Sequence, residues 1–168
     1  MLGMSERKTS GWVQQNNDAL AAAIAAKQEQ ALNRMTIKIG GSQYWADVRD
    51  ELKSVSENLA KPLLGRFHHS NFDTSRSVDH CQLAVSFIGD GTTHRNSHVD
   101  LWYRPETQEI WYKSTLRGEN VSLRPCVVDG RVHTITESHT DPMDAESAAE
   151  LVARPLVEHA MSGILVAA

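Results

Sequence analysis

The sequence predicts an α+β fold: an N-terminal helical hairpin, a five-stranded antiparallel meander, and a kinked C-terminal helix packed on one sheet face. Three observations carry this. Residues 18–35, DALAAAIAAKQEQALNRM, are strong helix formers with no Gly or Pro among them. Five alternating segments rich in β-branched and aromatic residues follow between 80 and 138, with no helical pattern between them. Asp141-Pro142-Met143-Asp144 then reads as a helix start, with Asp141 as N-cap and Pro142 at the first helical position.

Residues 1–17 are polar and read as a flexible N-terminus, with Trp12 the residue that argues for order; 18–168 read as a single α+β domain. In the first helix Leu20, Ile24, Ala31 and Met35 make a narrow apolar stripe. Alanine buries little area but lets another backbone come close. Gly40-Gly41 is expected to stop this helix, and Ser42 to cap the next. In that second helix Trp45, Val48, Leu52, Val55 and Leu59 recur at 3-4-3-4 spacing, and Pro62 ends it. A short link between two helices predicts an antiparallel hairpin. Met35–Ile39 (MTIKI) also alternates, so a short strand is the other reading there. Residues 62–79, with His68, His69 and Phe72, read as a loop.

The five expected strands are His80–Ile88, His98–Arg104, Glu109–Leu116, Val121–Val128 and Arg131–Ser138. The hairpin around Pro105 tests itself. With Arg104 opposite Glu109, Trp102 faces Trp111, Asp100 faces Lys113 and His98 faces Thr115, which gives two opposite-charge pairs and an aromatic pair from one register. Asp129-Gly130 predicts a two-residue type I′ turn that sets Val127 opposite Val132 and Cys126 opposite His133. Alternation then gives the sheet two faces. The apolar face carries Val99, Leu101, Tyr103, Ile110, Tyr112, Leu116, Val121, Leu123, Val127 and Val132, joined by Cys81, Leu83, Val85 and Phe87. The polar face carries His98, Asp100, Trp102, Arg104, Trp111, Lys113, Arg124, Cys126, His133 and Ile135. Cys81 and Cys126 thus fall on opposite faces, which excludes a disulfide between them. The last helix continues through Leu151, Val152 and Leu156, with a kink or break at Pro155, and the apolar ending SGILVAA is expected to pack.

Composition narrows the classes of function. Seventeen Ala stand against 37 Leu, Ile, Val and Phe, a lean core set, while Trp outnumbers both Phe and Tyr and there are 8 His. No run approaches the ~20 apolar residues of a membrane span. The stretch Met1–Lys8 has no apolar run after its charges and does not read as a secretory signal. The two cysteines lie outside any metal or redox spacing and suit reduced thiols in the cytoplasm. The net charge of −4 argues against a nucleic-acid binder, and no membrane partner is expected. Six acids and one Arg between Glu137 and Glu158 make that segment the acidic part of the chain.

The polar face is the best candidate surface: His98, Asp100, Trp102, Arg104, Trp111, Lys113, Cys126 and His133 form the candidate ligand- or partner-binding set. The alternative is a solvated sheet face with Trp102 and Trp111 as a cross-strand clamp. His94 and His98 are four apart but start in the loop GDGTTHRNS, where the helical premise of a His-x3-His metal pair fails, so no metal or cofactor is expected. Cys126 beside His133 pairs a nucleophile with a base but lacks an orienting group and an oxyanion hole, and no catalytic residue is readable. Gly89-Asp90-Gly91-Thr92-Thr93 lacks the Lys-Ser/Thr pair of a phosphate loop and reads as a tight hairpin loop. Arg117, Arg124 and Arg131 are interleaved with Glu109, Glu119 and Asp129, a mixed surface rather than a basic track.

Two functional readings follow. The first is a non-enzymatic binding or assembly domain, homodimeric, using the Trp-bearing face or the helical hairpin as its contact; a lean core favours completion by association. The second is an enzyme or small-molecule binder with its site around His98, Asp100, Trp102, Trp111, Cys126 and His133.

Overall fold

The computed structural model describes the backbone of residues 10–59, 68–89 and 93–167, and the side chains of 10–59, 70–86 and 97–160. The described residues fall into two compact units, divided between Met35 and Thr36.

In the first unit the chain is helical from Gly11 onward, the beginning of helix α1 (Gly11–Leu59). No described residue from 10 to 35 is buried. Leu20, Ile24 and Met35 are 61%, 49% and 59% exposed.

α1 also supplies the first element of the second unit, and the expected helical hairpin does not form. The helix runs through Gly40-Gly41 and through 35–39, so the short-strand reading of MTIKI is overturned as well. The glycines serve close approach instead of termination. A Cβ on Gly40 would lie 2.9 Å from Val132 Cγ2, and one on Gly41 would meet Gln108 Cγ at 2.8 Å and the Tyr103 hydroxyl at 3.1 Å. Two glycines cost helix propensity, but the flanking helix formers carry the helix across them.

The sheet has six antiparallel strands in sequence order: β1 (His68–Asp73), β2 (His80–Gly89), β3 (Thr93–Arg104), β4 (Glu109–Ser114), β5 (Asn120–Val128) and β6 (Arg131–Ile135). The α+β class and the antiparallel meander are as expected, but the strand count is six, not five. β1 lies where a loop was predicted. Its residues HHSNFD carry almost no strand propensity, and backbone pairing along β2 holds it, Phe72 opposite Leu83 and Ser70 opposite Val85. Ser70 Oγ also donates to the Ser56 carbonyl of α1 at 2.6 Å. β3 begins five residues before its expected start, so His94 and His98 are both strand residues and His94 stands opposite Ile88. The His94 side chain and residues 90–92 of the predicted tight loop lie outside the described residues.

The predicted registers hold. Arg104 pairs with Glu109, Trp102 with Trp111 and Asp100 with Lys113. Cys126 pairs with His133 across a turn in which Asp129 (φ 49°) and Gly130 (φ 73°) are both left-handed, as a type I′ turn requires. β5 changes partner midway: residues 120–123 pair with β4 and 124–128 with β6. Leu116, expected on the apolar face, lies beyond the end of β4 and is 39% exposed.

Helix α2 (Ala145–Ala167) starts later than predicted. Its N-cap is Asp144, whose Oδ1 accepts from Ser147 N at 2.8 Å, and not Asp141. The intervening Met143 bridges to Thr134 by a reciprocal pair of backbone bonds of 2.8 and 3.0 Å, which keeps the chain extended past Pro142. α2 continues through Pro155 as one helix, and the side chains of the apolar ending 162–168 lie outside the described residues.

The core is built as alternation predicts. Leu83, Val85, Val99, Leu101, Ile110 and Leu123 of the apolar face meet Tyr44, Trp45, Val48 and Leu52 of α1. Ala148, Ala149, Val152, Ala153 and Leu156 of α2 complete it. The Trp45 ring stacks on Tyr103 at 5.9 Å, and its Nε1 donates to the Val78 carbonyl at 3.0 Å. Among the described residues no helix is long and apolar enough to cross a membrane.

Candidate functional site on the polar sheet face

With both helices against one face, the other carries the candidate residues in cross-strand rows. One row runs His80, Trp102, Trp111, Ser122; the next runs Gln82, Asp100, Lys113, Asn120. The registers that create these rows are fixed by the burial of the opposite face, since a one-residue slip would expose the core set.

Asp100 is the centre of the better-ordered half. Its Oδ1 accepts from His80 Nε2 at 2.9 Å and from Gln82 Nε2 at 3.1 Å, and its Oδ2 lies 3.5 Å from His98 Nε2. His80 is 5% exposed and its ring tilts against Trp102 at 5.5 Å. The other ring nitrogen, Nδ1, is buried without a hydrogen-bond partner among the described residues. The His80–Asp100 contact ties β2 to β3 across the polar face.

Trp111 is the centre of the other half. The Arg104 guanidinium stands 4.8 Å over its ring, and its Nε1 donates to Glu109 Oε2 at 3.0 Å. Beside it an open groove of about 950 Å³ is lined by Trp111, Arg117, Glu119, Ser122, Arg124 and Glu137 among others. Two cations and several carboxylates share its wall, which suits a zwitterionic or mixed-charge ligand better than a simple anion.

The predicted set therefore divides. His98 and Asp100 are joined, as are Arg104 and Trp111, and Trp102 lies between the two groups. Lys113 is placed opposite Asp100 and is exposed. Cys126 and His133 are register partners; His133 Nδ1 lies 3.2 Å from the Arg131 carbonyl, and burial pushes the Cys126 thiol up, leaving it protonated at neutral pH. Burial likewise pushes the Cys81 thiol, in the core, up to about 12. No group of His, Cys, Asp and Glu suited to a metal ion occurs among the described residues. Sequence reasoning missed His80, Gln82, Glu109, Arg117 and Glu137 as members of this face. His80 was detectable, since alternation from Cys81 puts it on the polar side; Glu137 reaches the groove only through the tertiary fold.

Comparison with known protein families, curated proteins and solved structures found no match.

Proposed function

We propose that this protein is a non-enzymatic assembly domain that self-associates through the first half of α1. One observation carries the reading. Leu20, Ile24, Ala31 and Met35 line one side of a helix whose described residues up to 35 are all unburied. Helices in proteins are stabilised chiefly by packing an apolar face. Leu20, Ile24 and Met35 are 61%, 49% and 59% exposed, so covering them recovers about half of the ~1.5–3 kcal/mol that full burial of each side chain is worth, a gain that offsets part of the entropy cost of association.

Sedimentation equilibrium on the full chain tests this. The expected result is a reversible oligomer that Leu20→Glu with Ile24→Glu converts to a folded monomer, since neither residue belongs to the core. A wild-type chain that stays monomeric at every concentration overturns it.

A second reading rests on the groove beside Trp111, which supports a small mixed-charge ligand or a peptide at the polar face. Its expected sign is a change in tryptophan fluorescence with such a ligand that Trp111→Ala abolishes. A screen of zwitterionic metabolites and peptides that leaves both fluorescence and melting temperature unmoved counts against it.

A further inference from the structure

α1 and α2 leave an apolar groove between them in the second unit, about 700 Å³ in volume. Ala149 and Ala153 form its buried floor, and Val55, Leu59 and Val157 its half-buried walls. Its rim is acidic: Glu51, Glu146, Glu150 and Glu158 line it with a single cation, Arg154, which is already paired with Glu150 and Glu158. A groove of this kind accepts an amphipathic helix that carries positive charge beside its apolar stripe.

The chain itself contains such a helix. At 3.6 residues per turn, Leu20, Ile24, Ala31 and Met35 span about 60° of the α1 surface. Lys27, Arg34 and Lys38 fall within about 40° of Leu20 along one edge of that stripe, while the acids Asp18 and Glu29 point to the opposite side. All three cations are exposed. Length agrees as well. Leu20 to Met35 covers about 22 Å of helix, and Glu146 to Glu158 about 18 Å.

We infer that the α1–α2 groove is the docking site for the Leu20–Met35 stripe of a second copy of this chain, with Lys27, Arg34 and Lys38 of one copy against Glu146, Glu150 and Glu158 of the other. This rests on the self-association proposed above and names the surface the stripe meets. Such a contact joins two copies through unlike surfaces, the stripe of one and the groove of the other.

A charge exchange tests it. One full-length variant carries Lys27→Glu, Arg34→Glu and Lys38→Glu; the other carries Glu146→Lys, Glu150→Lys and Glu158→Lys. The substituted residues are exposed, and surface ion pairs contribute little to folding, so circular dichroism should report both variants folded. Each alone is expected to self-associate at least about tenfold more weakly than wild type, because like charges now face each other. Their equimolar mixture is expected to recover association, since a stripe of either variant then finds a groove of opposite charge on the other. If the groove variant associates as wild type does while Leu20→Glu with Ile24→Glu dissociates, the stripe pairs with another stripe; the groove inference is then overturned and self-association stands. If association is absent in the wild type itself, both fall.

Discussion

Gly40 shows how one residue decides a segment. A Cβ there sits 2.9 Å from Val132 Cγ2, and valine is stiff about its Cα–Cβ bond. Gly40→Leu is therefore expected to lower stability by about 1–3 kcal/mol, the usual cost of overpacking, despite the better helix propensity; a urea titration that finds it neutral or stabilising contradicts the close approach. Four residues on, the buried Tyr44 hydroxyl lies 2.8 Å from Thr134 Oγ1 and 3.0 Å from the Met143 carbonyl, tying α1 to β6 and to the start of α2. Met143 O also accepts from Thr134 N and keeps a partner if the hydroxyl is lost, but Thr134 Oγ1 does not gain one. Tyr44→Phe should cost about 0.5–1.5 kcal/mol, read from the shift in the denaturation midpoint.

At the scale of elements, α2 depends on its cap. Hydrogen bonds from the Ser147 backbone and side chain hold the Asp144 carboxyl below its ordinary value of 3.8. A folded-state pKa lowered in this way contributes stability that is fully present above 3.8 and is lost as pH falls through the depressed value. Asp144→Ala is expected to cost about 0.5–2 kcal/mol at neutral pH, and progressively less as the solution is acidified, so wild-type and variant melting temperatures should converge at low pH. A gap that stays constant with pH would assign the loss to packing instead. The β3–β4 hairpin was legible in the sequence because its cross-strand pairs are chemically matched: Arg104 with Glu109, Trp102 with Trp111 and Asp100 with Lys113. β1 was not legible, because HHSNFD is ordered by the edge it pairs with and not by its own residues. The cap of α2 was misplaced for a similar reason. Asp141-Pro142 has the local chemistry of a helix start, but the Thr134–Met143 bridge holds the chain extended until Asp144.

At the scale of the whole molecule, association and stability are linked. A chain that self-associates only when folded gains stability by mass action, so the melting temperature should rise with protein concentration, and that rise should vanish in the Leu20→Glu, Ile24→Glu variant. A concentration-independent transition in the wild type speaks for a monomer. The lean core seen in the composition is consistent with this. Alanine in α2 lets the helix sit close on the sheet, where Ala148, Ala149, Ala153 and Ala160 are buried, whereas the alanines of the first half of α1 are exposed.

By itself the sequence determined the α+β class, the antiparallel meander, the two faces of the sheet, and the hairpin registers. Each of these depends on neighbours along the chain or on the period-two alternation of a strand, and both are written locally. Only the tertiary structure decided that Gly40-Gly41 is a close approach and not a helix end. It also decided that a polar hexapeptide is a strand, that Asp144 caps α2, and that His80 closes on Asp100. In each case the deciding partner (Val132, β2, Thr134, Asp100) lies at least nine residues away, where local propensity carries no information.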